Sequence, residues 1–308
     1  VVMSLAGQRE KLNLPLHTQF STAEVGDYIA LMKPRIILLL EVTALAGMMV
    51  AYSGFPPWDL VLAVLGGGAL AAGGANAVNM WFDRDIDAEM YRTRQRPIPA
   101  GRVQPRSALI FGVTLNAIAF VIIAARANLL AAGLTLTATL VYVFVYTMAL
   151  KRTTPQNIVI GGAAGAFPPV IGYVALTGAL DMTALYMFMI VFFWTPPHFW
   201  ALALRLNGDY GRAHVPMMPE VRGRASTARQ ILLYSIVLTA ISLLLVVRGF
   251  GLFYLVSALL LGGAFILLSV LTMRDDGTRW ARRTFEYSLL YLALLFGAMV
   301  VDVLIRVA

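Results

Sequence analysis

The sequence contains no cysteine. That excludes a disulfide, a thiolate nucleophile and a Cys-ligated zinc, and it leaves the redox compartment open. Charge is scarce as well. Only 13% of the 308 residues are Asp, Glu, Lys or Arg, against 59% hydrophobic, and the mean hydropathy is +0.77. So little charge cannot clothe a soluble globule; this is the composition of a polytopic membrane protein whose first partner is the lipid bilayer. Acidic residues are the scarcer sign, which leaves a net charge of +8. A nucleic-acid binder can show such an excess, but in a membrane chain it marks basic loops kept on one side, so no nucleic-acid partner is expected. Residues 1–27 lack the basic-then-apolar pattern of a signal peptide. They are read as a cytoplasmic tail, and 28–308 as a single transmembrane domain.

What the chain does have is apolar runs of spanning length. They lie near 36–53, 60–82, 107–125, 129–150, 157–177, 183–206, 230–247, 251–273 and 285–305. The expected fold is therefore all-α, with nine transmembrane helices. With the N-terminus inside, every Lys and Arg except Arg126, Arg248 and Arg306 falls on the inner side, and the C-terminus lies outside. This reading places the protein in the cell (inner) membrane. Glycines in the second run (Gly66, Gly67, Gly68, Gly73, Gly74) and the fifth (Gly161, Gly162, Gly165) would let backbones approach closely. Pro168–Pro169 and Pro196–Pro197 should kink or break their helices. Glu41 is an intramembrane carboxylate, hence either functional or paired with Arg35 or a neighbouring helix. Asp302 and Arg306 are spaced for a local ion pair, and Asn116 for joining helices.

The polar residues concentrate in two inner segments. The first runs from Asn76 to Gly101, NAVNMWFDRDIDAEMYRTRQRPIPAG. On a helix, Asn76, Asn79, Asp83 and Asp87 project within about 80° of one another, with Asp85 on the other side. Hard oxygen donors on one face suit Mg²⁺, which keeps few protein carboxylates and fills its shell with water and phosphate oxygens. Arg92, Arg94 and Arg96 follow as fork-shaped phosphate partners. The pattern reads as a metal–diphosphate site at the membrane surface. It also fits a charged loop that only orients the protein.

The second segment, Pro196 to Pro219, is PPHFWALALRLNGDYGRAHVPMMP. His198, Arg205 and Asp209 share a face within about 40°. His198 has three readings: a metal or haem-iron ligand, a proton-transfer group, or a hydrogen-bonded packing residue. Tyr146, Lys151 and Arg152 make a third basic and aromatic corner, where Lys151 either meets a diphosphate oxygen or anchors a helix end.

The Asn79, Asp83, Asp87 spacing resembles the NxxxDxxxD signature of UbiA-type intramembrane prenyltransferases. DYIALMKPRI (27–36), NMWFDRDIDAEMYRTRQRPIPAGRV (79–103), LKRTTPQNIVIGGAAGAFPPVIGYVALTG (150–178) and WTPPHFWALALRLNGDYGRAHVPMMP (194–219) resemble the haem-farnesylating branch of that family. The resemblance implies a nine-helix bundle around a cavity, a farnesyl diphosphate donor held through Mg²⁺, and haem b as acceptor. The 2-vinyl group of the haem would become the hydroxyethylfarnesyl chain of haem O. A downstream haem-modifying enzyme or an oxidase assembly factor is the kind of partner that would receive it. Carried onto this chain, the resemblance gives Asn79, Asp83 and Asp87 metal and diphosphate, with Arg92, Arg96, Lys151, Arg152 and Arg205 around the diphosphate. Lys151 and Asp209 join the catalytic set, and His198 faces the haem. Two departures stand out. Met80 occupies a place where the wider family often has Asp, and the second motif has one carboxylate where the family has several. Two rival functions remain at this stage: a prenyltransferase using a quinone-precursor or chlorophyll-like acceptor, and a haem carrier.

Overall fold

Apolar helices alternate in direction through the chain, and the polar segments collect at one end of the bundle. The computed structural model describes residues 24–206, 211 and 215–307. A short helix, α1 (Val25–Met32), precedes α2 (Pro34–Tyr52) and α3 (Trp58–Phe82). Next come α4 (Arg84–Glu89), α5 (Pro105–Arg126) and α6 (Leu129–Leu140). The last of these continues as a π-helix over Val141–Leu150. The fifth span is α7 (Asn157–Gly161) and α8 (Ala163–Thr177), and the sixth is α9 (Met182–Arg205). The remaining spans are α10 (Met218–Leu243) with a 3₁₀ extension to Arg248, α11 (Leu252–Arg274) and α12 (Arg279–Val307). Among the described residues, nine helices are long and apolar enough to cross a membrane, and no strand occurs.

The helices are held by close backbone approach. At Gly47 a Cβ would lie 2.1 Å from the carbonyl oxygen of Pro169, and at Gly172 it would lie 2.0 Å from that of Ala44. No side chain fits in either place, so α2 and α8 meet backbone to backbone. Across the last three spans hydroxyl pairs do similar work: Ser235 with Ser269 at 2.9 Å, Ser242 with Tyr291 at 2.9 Å, and Thr272 with Thr284 at 2.8 Å. Asn116 joins helices as expected, its Oδ1 accepting from Thr139 Oγ1 of α6 at 2.7 Å. Arg306 Nε lies 3.1 Å from Asp302 Oδ2, the local ion pair expected from their spacing.

Of the kink or break expected at the proline pairs, the break does not occur: α8 and α9 run helically through Pro168–Pro169 and Pro196–Pro197. The seventh span starts well before residue 230, at Met218, in a polar stretch interrupted at Gly223 with φ 75°. A hydropathy scan cannot find a helix whose first turns are polar. Among the described residues Glu41 makes no ion pair with Arg35 or a neighbouring helix, which leaves its functional reading. It packs against Gly68, and its Oε2 is buried without a hydrogen bond.

The second and sixth spans, α3 and α9, are the most buried. The helices whose ends carry the two polar motifs are thus the central ones.

Candidate active site

Asp83 closes α3 and opens α4. Its φ of −84° and ψ of 6° let the chain turn there, yet Asp87 N–H still donates to its carbonyl at 2.8 Å. The acidic stripe is therefore bent at its middle rather than laid on one straight helix. Both carboxylates are buried, Asp83 at 0% exposure and Asp87 at 1%. Such burial requires partners, since an isolated ion away from water is very costly.

The partners come from three separate parts of the chain. Lys151, just past the π-helix, donates to Asp83 Oδ2. Asn79 Nδ2 donates to the same oxygen at 2.7 Å and to Thr147 Oγ1 at 3.1 Å. Arg96 Nη1 donates to Asp87 Oδ2 at 2.6 Å, and Thr93 Oγ1 donates to the Asp87 carbonyl at 3.0 Å. Lys33, between α1 and α2, donates to Asn79 Oδ1 at 3.0 Å. Asn76 ties the same corner together. Its Nδ2 donates to the Met32 carbonyl at 2.9 Å, and Tyr142 OH donates to its Oδ1 at 3.3 Å.

Local structure explains how these groups meet. In the π-helix the turn is widened by one residue, and Lys151 N–H donates to the Tyr146 carbonyl five residues back. The wider turn carries Thr147, whose hydroxyl donates to the Tyr142 carbonyl at 2.8 Å while accepting from Asn79. Tyr142 and Tyr146 stack with centroids 5.5 Å apart, forming an aromatic wall beside the motif.

The arginines divide. Arg152 is held mainly by Asp85, through bonds of 2.6 and 2.7 Å, and reaches Asp83 Oδ1 at 3.4 Å. Its guanidinium lies over the Phe82 ring, and its Nε is buried without an acceptor. The bidentate bond to Arg152 pulls the Asp85 carboxyl down to about 2, against a smaller opposing effect of partial burial. Arg96 sits at the carboxylates. Arg92 is exposed, and Arg94 is exposed and stacked on Tyr91. Lys33 is pushed well below its ordinary value, first by burial and then by the like charges of Arg96 and Lys151.

In the second motif His198 is buried between α9 and α12. Its Nδ1 shares a 2.6 Å hydrogen bond with Ser288 Oγ. Trp194 and Phe285 stack on its ring at 4.4 and 4.8 Å, and Phe199 meets it edge-on at 5.1 Å. Arg205 is exposed at the end of α9, where its charge acts on Glu286. Asp209 lies outside the described residues.

The sequence reading missed Lys33, Thr147 and Tyr142. Lys33 was counted only as part of the inner basic excess. Its signal was in the motif DYIALMKPRI, where a proline follows the lysine and fixes the entry to α2. Thr147 and Tyr142 carried no such signal, because a π-turn is invisible in a 3.6-residue periodicity.

The donors Asn79, Asp83 and Asp87 are all hard oxygens. No group of three His, Cys, Asp or Glu side chains gathers among the described residues. Two carboxylates and a carboxamide fit an ion such as Mg²⁺ that takes most of its shell from water and phosphate. The neighbouring cations fit the phosphate.

Residues 40–295 match the UbiA prenyltransferase family. The chain is 53% identical over 282 residues to a protoheme IX farnesyltransferase of Symbiobacterium thermophilum, spanning 91% of this chain and 94% of that one. Its fold is similar to that of a digeranylgeranylglyceryl phosphate synthase, with a TM-score of 0.75 at 18% identity, covering 91% of this chain and 98% of the other. It is also similar to a UbiA homologue from Archaeoglobus fulgidus bound to GPP and Mg²⁺, with a TM-score of 0.61 at 15% identity, covering 89% and 99%.

Proposed function

The chain belongs to the UbiA prenyltransferase family, and from that premise we propose that it farnesylates protoheme IX. The donor is farnesyl diphosphate, the acceptor is the 2-vinyl group of haem b, and the product is haem O. The observation that carries the reading is the buried knot of Asn79, Asp83, Asp87, Lys151 and Arg96 at the inner end of α3. We also place the N-terminus in the cytoplasm and the protein in the cell's inner membrane, because the basic residues gather at the end of the bundle that carries this knot.

Asn79, Asp83 and Asp87 would hold Mg²⁺, which when bound supplies positive charge opposite the departing diphosphate. Lys151 and Arg96 now neutralise those carboxylates, so both cations are within reach of a diphosphate seated on the same residues. Arg152 would add its unused Nε, and Arg92 its exposed fork. Together these groups stabilise negative charge as the allylic C–O bond breaks. Tyr142 and Tyr146 shield the allylic cation from early water. The vinyl carbon then attacks it, and water adds to the resulting cation and loses a proton.

His198 would meet the acceptor. Ser288 holds its Nδ1, and Trp194 and Phe285 stack on its ring, so the Nε2 edge is the part of the ring we assign to the ligand. From the resemblance of the second motif, Asp209 is assigned to the catalytic set and Arg205 to the diphosphate.

Mass spectrometry of haem extracted after reaction with farnesyl diphosphate and Mg²⁺ tests the proposal. The expected product is haem heavier by one farnesyl group and one hydroxyl. Haem recovered unchanged while still bound to the protein would instead indicate a carrier.

A further inference from the structure

We propose that Lys33 is a further diphosphate-gripping residue, held on Asn79 until the substrate arrives. The proposal rests on the prenyl diphosphate reading of the site given above.

Three observations point to it. The first is position. Lys33 is half-buried, and its ammonium donates to Asn79 Oδ1 at 3.0 Å, inside the knot of acidic and basic side chains. A lysine that only anchors a helix end carries its charge out into water; this one carries its charge inward.

The second is charge. Asp83 is taken by Lys151 and Asp87 by Arg96. Lys33 feels all four of these charges, yet its hydrogen-bond acceptor is a neutral carboxamide. Among the described residues of the knot, Lys33 is thus bonded to a neutral group where Lys151, Arg152 and Arg96 are bonded to carboxylates. A diphosphate oxygen would offer it the anionic acceptor that Asn79 does not.

The third is backbone. Lys33 has φ 57° and ψ 59°, in the left-handed region that a residue with a Cβ seldom adopts, and it does so directly before Pro34. Strain of this kind persists only where the surroundings impose it, and it gathers at ligand clamps. Here it aims the side chain at the motif while Pro34 starts α2.

The test titrates the full chain, in detergent and without haem, with the thio analogue of farnesyl diphosphate and Mg²⁺ by calorimetry. Lys33→Met should weaken binding at least about tenfold, and Lys33→Arg should restore most of the loss. In an Asn79→Ala background, Lys33→Met should cause a further loss, because the lysine acts on the ligand and not merely through Asn79. Binding within twofold of the parent chain in Lys33→Met, or no further loss in the Asn79→Ala background, would overturn the proposal. If Lys33→Met does not fold, Lys33→Gln is read by the same criteria. Asp83→Asn serves as the control. If it also binds the analogue normally, the diphosphate site itself is wrong; if it alone loses binding, only the role of Lys33 falls.

Discussion

Asp83 and Asp87 are buried carboxylates that each face a basic partner, Lys151 and more distantly Arg152 for Asp83, and Arg96 for Asp87. Removing one member of such a pair strands the other, at roughly 3–5 kcal/mol. Asp83→Ala should therefore lower thermal stability as well as activity. The isosteric Asp83→Asn and Asp87→Asn separate the effects. Each should lose at least about a hundredfold in kcat while keeping the parent melting temperature more closely than the alanine variant. Turnover near that of the parent in a purified asparagine variant would remove the metal role. His198→Ala is expected to change haem affinity and the haem absorbance spectrum; identical titrations would leave the ring as packing between Trp194 and Phe285. At this scale the sequence exposed the acidic motif, because charged residues stand out in an apolar chain. It hid their partners, since Lys33 and Lys151 lie 46 and 68 residues from the side chains they bind. Nothing in local spacing reports a bond across that separation.

The helices were largely legible, because spanning length and hydropathy are imposed by the bilayer and not by neighbours. What hydropathy could not reveal was local geometry. The π-turn over Val141–Leu150, the joint at Asp83 and the polar start of α10 at Met218 all depend on hydrogen bonding and packing. The glycines make the same point. Gly74, singled out for close approach, does lie against the Gly112 carbonyl, but Gly66 and Gly165 have open space where a Cβ would go, and Gly47 and Gly172, not singled out beforehand, are pressed against backbone. Gly172→Leu should force α2 and α8 apart, destabilising the protein by about 1–3 kcal/mol or more. Gly66→Leu should be near neutral. Melting curves of the two variants in one detergent check both, and equal melting temperatures would refute the packing account.

The molecule as a whole has one end rich in basic and acidic side chains and one end with few, among them Asp59, Arg126, Asp181, Arg248, Asp302 and Arg306. With the rich end in the cytoplasm, Ser53 and Gln104 fall on opposite sides of the membrane. Because the chain contains no cysteine, Ser53→Cys and Gln104→Cys each introduce the only thiol. A membrane-impermeant maleimide applied to intact spheroplasts should label position 53 and spare position 104 until the membrane is opened. The reverse pattern would invert the orientation.

The plain end is also where Asp302 sits, and this carboxylate does more than pair with Arg306. Its two oxygens accept the backbone N–H groups of Gly251 and Tyr254, at 2.8 and 3.1 Å, which are the free amides at the start of α11. The final helix thus works as a buckle on the one before it. Trimming the chain back to residue 301, an innocent-looking edit in a last apolar helix, would unfasten two spans at once, and a reporter fused at that cut would announce a weakened protein rather than its location.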